Sequence, residues 1–530
     1  LPFQGISFSI DVLTKNRFMS NQKTIWGHPI GLATLFFTEM WERFSYYGMR
    51  ALLILFMTTA IVDGGLGFDD KTSGAIYGLY TMGVYLLALP GGWLADRLFG
   101  LKKSVWYGGV IIALGHFTMG IPGIMKLFAA ESSKIELSAL DTNTFFLGLI
   151  LIVVGTGLLK PNISSIVGQL YSDGDSRRDA GFSIFYMGIN IGALVAPILT
   201  SSLASYDWHL GFGLAGFGMV IGLIQYKLTA KNLIGVGDVP VFETTQEQYA
   251  NQKLKRITTY IIGAVVVLLV LMFAGVITVD ASAIASSSGV IIAVVAFSYL
   301  AYIIIFGGLS TSDRKKVGAI GVVFIFSAVF WSGFEQAGST LNLFADRFTD
   351  RTMFGWEIPA GWFQSVNSTF IILFAPFFGA MWIWLAKRNL EPSSPLKFFF
   401  GLFGVAAGFF VMYFATKIAA SGEMAAPTWL IFTYLFHTWG ELSLSPVGLS
   451  LTTKLAPKAY QGQMMGVWFL SVSLGNLLAG LIAGEASGGT VDALADMPNQ
   501  YMTIVLTTMG AALVLLAFNK PLRKLMGNVH

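Results

Sequence analysis

Fourteen apolar stretches, each more than twenty residues long, follow one another along this 530-residue chain and leave mostly short polar joints. They fall at about 30–60, 71–96, 103–125, 143–169, 179–203, 209–230, 257–278, 289–309, 317–344, 359–386, 396–418, 426–453, 460–484 and 500–522. An apolar run of ~20 residues crosses the hydrocarbon core of a bilayer as a helix. Backbone polar groups in lipid must be satisfied within their own segment, which helices achieve. The expected fold is therefore all-α and membrane-integral. Composition agrees: 12% of residues are charged, against about 25% in a soluble domain. The chain has no cysteine, which removes disulfides and thiolate metal sites. The net charge of +4 is scattered through short loops, so it is no nucleic-acid signal.

Loop charges test this division. Arg97, Lys102, Lys103, Arg177, Arg178, Lys231, Lys253, Lys255, Arg256, Arg314, Lys315, Lys316, Lys387, Arg388, Lys397, Lys454 and Lys458 occupy alternate loops. The opposite loops hold few basic residues: Lys71, Lys126, Lys134, Arg347, Arg351 and Lys417. The positive-inside rule then places both termini in the cytoplasm. The spans divide as six, two and six, with the longest polar stretch at 228–256. The expected organisation is a tail at 1–29, a six-helix bundle at 30–231, a linker with two extra helices at 232–313, and a second six-helix bundle at 314–530. Residues 1–18 lack a signal-peptide core and cleavage site and read as foreign to a native start at Met19. A faint echo between Trp93-Leu94-Ala95-Asp96-Arg97 and Trp384-Leu385-Ala386-Lys387-Arg388 fits an internal repeat.

The first span carries four charges: Glu39, Glu42, Arg43 and Arg50. A charge near the centre of a membrane helix costs ~2.5–3.5 kcal/mol even on a lenient scale. With ~100° of turn per residue, Glu39, Arg43, Tyr46 and Arg50 share one stripe, and Glu42 lies at its edge. An intrahelical salt bridge explains Glu39 and Arg43, which are i,i+4 partners. It does not explain Arg50, which has no acid of its own on this helix.

Five other spans carry polar groups at depth: Lys160-Pro161-Asn162; Tyr186 and Asn190; Trp331 and Glu335; Asn367; and His437, Trp439 and Glu441. Trp468 stands in the next span. The intramembrane set balances four acids against three bases, so one proton would neutralise it. That hints at proton coupling, because a carboxylate in a low-dielectric setting titrates nearer neutral pH. Permanent ion bridges between bundles are the plainer reading of the same charges. Arg50 and Lys160 suit an anion, while Glu335 and Glu441 suit an ammonium. A short peptide carries both charges. Tyr46, Tyr47, Tyr85, Trp331 and Trp468 are candidate aromatic walls, although each alone is more often core. Asn190 and Asn367 are candidate partners for peptide groups.

Three motifs carry a family resemblance. The segment Gly91–Lys103 resembles the loop signature of the major facilitator superfamily, with one extra residue before the basic pair. Glu39-Met40-Trp41-Glu42-Arg43-Phe44-Ser45-Tyr46-Tyr47 resembles the ExxERFxYY motif of proton-dependent oligopeptide transporters, the POT or PTR2 family. Phe185-Tyr186-Met187-Gly188-Ile189-Asn190-Ile191-Gly192 resembles that family's FYxxINxG signature. The resemblance runs from about residue 27 to the end. It implies the major facilitator fold of two six-helix bundles, with the extra pair typical of bacterial members, in a bacterial inner membrane. It implies proton-coupled symport of di- and tripeptides by alternating access, with no cofactor or metal and a functional monomer. Arg50 and Lys160 would hold the peptide carboxylate. Glu441, Asn367 and Asn190 would hold the amino end. Glu335 would pair with Arg50 and join Glu39, Glu42 and Arg43 in proton coupling. Tyr46, Tyr47, Tyr85, Trp331 and Trp468 would line the pocket. One departure stands out: animal members place a histidine where this chain has Gly78, so coupling would rest on carboxylates.

The alternatives are a carrier of nitrate, an amino-acid conjugate or a peptidomimetic, and an integral-membrane enzyme or a receptor. An enzyme would need a nucleophile pair or metal cluster at an aqueous face. Asp69-Asp70 is a lone acidic pair, and clustered His and Cys are absent from the sequence.

Overall fold

The computed structural model describes residues 24–25, 27–128, 139–172, 175–239, 244–277, 280–353, 355–486 and 491–527. The segment 1–18 and Lys134 lie outside the described residues. The first half contains α1 (Gly31–Thr58), α2 (Asp70–Leu86), α3 (Ala88–Leu94), α4 (Leu101–Phe128), α5 (Ala139–Gln169), α6 (Arg178–Ala204) and α7 (Trp208–Thr229). Two peripheral helices follow, α8 (Thr245–Phe273) and α9 (Ala281–Phe306). The second half contains α10 (Thr311–Phe334), α11 (Thr340–Phe348), α12 (Gln364–Lys387), α13 (Ser394–Ala420), α14 (Thr428–Leu455), α15 (Gln461–Ala486), α16 (Val491–Ala517) and α17 (Asn519–Met526). The only described strands are two short hairpins in loops, Thr24–Ile25 with His28–Pro29 and Thr352–Met353 with Trp356–Glu357.

Every expected span coincides with a long helix, and the fold is an all-α membrane fold. Among the described residues, twelve helical stretches are long and apolar enough to cross a membrane. The long helices α1 and α14 fall outside that set. They carry the buried charges Glu39, Glu42, Arg43, Arg50 and Glu441, which lower their hydropathy. In the first half α4 packs on α5, and α1 packs on α6 and α7. In the second half α13 packs on α14 and α16, and α10 packs on α15. The halves meet where α2 packs on α15 and α6 on α12. Helix α8 exposes apolar residues along its length, as Ile261, Val265 and Leu268 do. That suits a helix bathed in lipid. Helix α9 inserts Ala285 and Ile292 against Ala75 and Met82 of α2 and Leu477 of α15, so it touches both halves.

Three segments depart from the expected outline. The second span bends at Leu87 and continues through Gly91–Phe99 as α3 and a π-turn, Ala95–Phe99. The facilitator-like segment is therefore helical as far as Gly100. That glycine takes φ +75° and lies against the Asp238 backbone, a position no side chain fits. The ninth span breaks at a 3-10 turn, Glu335–Gly338. The final span separates into α16 and the short amphipathic α17.

Helix ends are capped by local chemistry. Asp69 accepts from the Thr72 N–H at 2.9 Å and opens α2, and this bond holds its carboxyl below the ordinary 3.8. Thr244 and Glu247 form a reciprocal capping box at the start of α8.

Candidate functional site

Charge placement on α1 follows from its stripe. Arg43 Nε lies 3.0 Å from Glu39 Oε1 and 2.5 Å from Glu42 Oε2, with all three residues buried. Arg43 Nε and Nη2 lack an aligned acceptor, and both Glu42 oxygens lack an aligned donor. Two turns further on, Arg50 reaches across to the other half. Its Nη2 lies 2.9 Å from Glu335 Oε2, and its Nε donates to Tyr77 Oη at 2.8 Å. The helix break after Phe334 makes this contact. A broken helix leaves carbonyls without intrahelical donors, and the Glu335 carbonyl accepts from Arg50 at 3.4 Å. Gly338 gives the space, since a Cβ there would collide with Tyr77 and Arg50. Removing one member of such a buried pair leaves an uncompensated charge, at a cost of about 3–5 kcal/mol.

A central cavity of ≈ 270 Å³ lies between the halves. Its first-half wall carries Glu39, Arg43, Tyr47, Arg50, Tyr85, Lys160 and Asn190. Its second-half wall carries Trp331, Glu335, Asn367, Glu441 and Trp468. Lys160 Nζ sits 3.6 Å from the Tyr85 ring centroid, a cation–π contact that holds the ammonium without a carboxylate. Asn190 Nδ2 donates to the Tyr186 carbonyl at 3.0 Å. Asn367 Nδ2 donates to Glu441 Oε2 at 3.3 Å and to Thr438 Oγ1 at 3.0 Å. Trp468 packs its ring over Gly448, where a Cβ would collide with it.

Of the residues expected to line the pocket, one stands elsewhere. Tyr46 does not line the cavity. It is buried and stacks on Tyr80 with ring centroids 6.3 Å apart, and Arg43 lies over its ring face at 5.4 Å. Glu42 lies behind Arg43, also outside the lining. Conversely, Tyr77, Gln364 and Tyr434 join the site or support it without having been expected there, and Tyr186 and His437, named only as polar groups at depth, line it as well. For Tyr434, His437, Glu441 and Ser445 the signal was present, because spacings of three and four place them on one face of α14. Tyr77 had no such signal, since its role depends on where Arg50 extends.

The halves are bonded together at the end of the bundle opposite the start of α1 and the C-terminal α17. Arg347 pairs with Asp70 through two contacts of 2.7 and 2.8 Å. Asn342 donates to the Ala51 carbonyl at 2.9 Å, Ser365 to Leu194 at 2.7 Å, and Trp362 to Ile198 at 3.1 Å. At the same end α2 and α15 approach through glycines. A Cβ on Gly78 would sit 2.8 Å from the Leu477 carbonyl oxygen, so a histidine ring has no room there. The cavity extends the other way, past Ser164 and Leu449, toward the end where α1 starts and α17 lies.

Comparison with known proteins decides the family. The PTR2, POT family, profile matches residues 102–501. The chain belongs to the POT family. This POT-family chain is 42% identical to the peptide transporter YePEPT of Yersinia enterocolitica, over 96% of this chain and 97% of the relative. It is 35% identical to a di-/tripeptide transporter of Lactococcus lactis subsp. cremoris, over 96% and 99%. Its fold matches a crystal structure of a mutant peptide transporter POT in complex with alafosfalin, with TM-score 0.84, 38% identity, and coverage of 97% and 99%. The POT-family chain thus has the major facilitator architecture and reads as a transporter, not an enzyme.

Proposed function

We propose that this chain is a proton-coupled symporter that imports di- and tripeptides by alternating access. The observation that carries the reading is the cavity itself, cationic on one half and anionic on the other, with the Arg50–Glu335 pair at 2.9 Å spanning both. A zwitterion fits that polarity. Its carboxylate meets Arg50 and Lys160, where guanidinium geometry favours a carboxylate. Its ammonium meets Glu441, oriented by Asn367, with Asn190 beside it. Tyr47, Tyr85, Trp331 and Trp468 offer flat surfaces that accept varied side chains.

Proton coupling follows from competition for Arg50. With Glu335 ionised, Arg50 is held across the halves. A proton on Glu335 removes the pair and frees Arg50 for the peptide carboxylate. Glu39, Glu42 and Arg43 form a second buried triad in which a proton on one acid alters the grip on Arg43. The bonds at the end opposite the start of α1 close that side, and the cavity's extension toward the end where α1 starts marks an inward-facing state. The moving bodies are residues 30–231 and 314–530, joined by 232–313. The termini are cytoplasmic, the membrane is a bacterial inner membrane, and a monomer suffices.

Competition experiments test the substrate class. Labelled dialanine uptake into proteoliposomes is challenged with unlabelled dipeptides, tripeptides and nitrate. The expected result is inhibition by both peptide lengths and none by nitrate. Inhibition by nitrate with indifference to peptides would overturn the reading.

A further inference from the structure

We infer that Ser45 and His116 set the rotation of α1 and so aim its charged stripe at the central cavity, which makes His116 a positioning residue for peptide binding. The inference rests on the reading of Arg50 as the group that meets the peptide carboxylate. Ser45 falls about 140–160° around the helix axis from Arg43 and Arg50, on the back of α1. There its Oγ lies 2.6 Å from His116 Nε2 on α4. Both residues are fully buried. The His116 Nδ1 has no aligned partner, so among the described residues the ring's hydrogen bonding rests on Ser45. Gly216 of α7 gives the ring its room, since a Cβ there would sit 2.8 Å from His116 Cβ.

Three further polar contacts fasten this side of α1 within the first half. Thr38 Oγ1 donates to Gln225 Oε1 at 3.1 Å, and Gln225 Nε2 donates to the Thr34 carbonyl at 3.3 Å. Thr200 Oγ1 donates to the Gly48 carbonyl at 3.1 Å. The Ser45–His116 bond is the shortest of the four, joins two side chains, and lies between Arg43 and Arg50 along the helix. Neighbouring contacts with α7 are apolar, with Phe44 over Gly218 and Trp41 over Gly222, where a Cβ would collide with either ring. Apolar packing is non-directional, whereas a hydrogen bond weakens steeply as it bends. On a helix of ~5–6 Å outer radius, a turn of ~20° carries a side-chain end by about 2 Å. Arg50 Nη2 lies 2.9 Å from Glu335 Oε2, so a slip of that size breaks the contact between the halves.

The test uses the full chain in proteoliposomes. The sequence has no cysteine, so Phe37→Cys on α1 and Val154→Cys on α5, both exposed, carry spin labels. Ser45→Ala and His116→Leu are each expected to shift the label distance. Each also raises the half-saturating dialanine concentration for counterflow about fivefold or more, with the maximal rate per folded protein kept within about twofold. The double variant does no worse than either single one, because the same bond is lost in all three. His116→Gln, which returns an amide near the Nε2 position, restores both readings. A purely structural role would lower the folded yield and the maximal rate and leave half-saturation unmoved. Unchanged label distances in both single variants overturn the inference, as do shifted distances with unchanged half-saturation, or additive losses in the double variant. A wild type without saturable dialanine counterflow refutes the peptide reading instead, and the label distances still decide whether Ser45 and His116 set α1.

Discussion

Arg50 is held by a carboxylate, a phenol and a carbonyl, drawn from α2 and from the break after α10. A hydrogen bond to a charged group contributes about 1.5–3 kcal/mol. Tyr77→Phe removes the phenol bond and keeps the ring. The expected outcome is a half-saturating peptide concentration raised about tenfold or more, measured by binding to purified protein, with folding intact. At this scale the sequence was partly readable. Four charges in one apolar span had to face something polar, and the i,i+4 spacing of Glu39 and Arg43 gave their pairing. Tyr46 shared the stripe but turned to Tyr80, because a stripe ~60° wide still spans both a cavity wall and a helix contact. Tyr77 was invisible, since nothing in its own neighbourhood distinguishes a phenol beside an arginine from one in a packed core.

At the scale of elements, span length and loop charge located the helices, because each membrane crossing must satisfy its backbone internally. The break at Glu335–Gly338 was hidden in an apolar run with no proline. It depends on Gly338 meeting Arg50 and Tyr77 from the other half, which is tertiary information. Gly74 and Gly78 of α2 face Gly480 of α15. They lie at the end where the halves are bonded together, and a Cβ on Gly480 would sit 2.5 Å from the Gly78 backbone nitrogen. Gly480→Leu therefore wedges α2 from α15. Spin labels near Asp70 and Glu485 are expected to report a longer, broader distance distribution than in the wild type, with peptide counterflow reduced severalfold. An unchanged distribution would mean that this contact does not set the closed end.

At the scale of the molecule, the two halves bring opposite charges to a shared cavity, and α9 rests on both across the α2–α15 seam. The polar stretch at 228–256 was readable as the joint between α7 and α8, whereas the attachment of α9 was not, since its apolar faces look alike in sequence. The central claim is that buried carboxylates pass a proton as the peptide crosses. Accumulation of labelled dialanine in proteoliposomes under an imposed inward proton gradient tests it most directly, with wild type compared against Glu42→Gln and Arg43→Ala. The account predicts uphill accumulation by the wild type, collapse toward equilibration in both variants, and counterflow preserved in each. Full gradient-driven accumulation by both variants would contradict it.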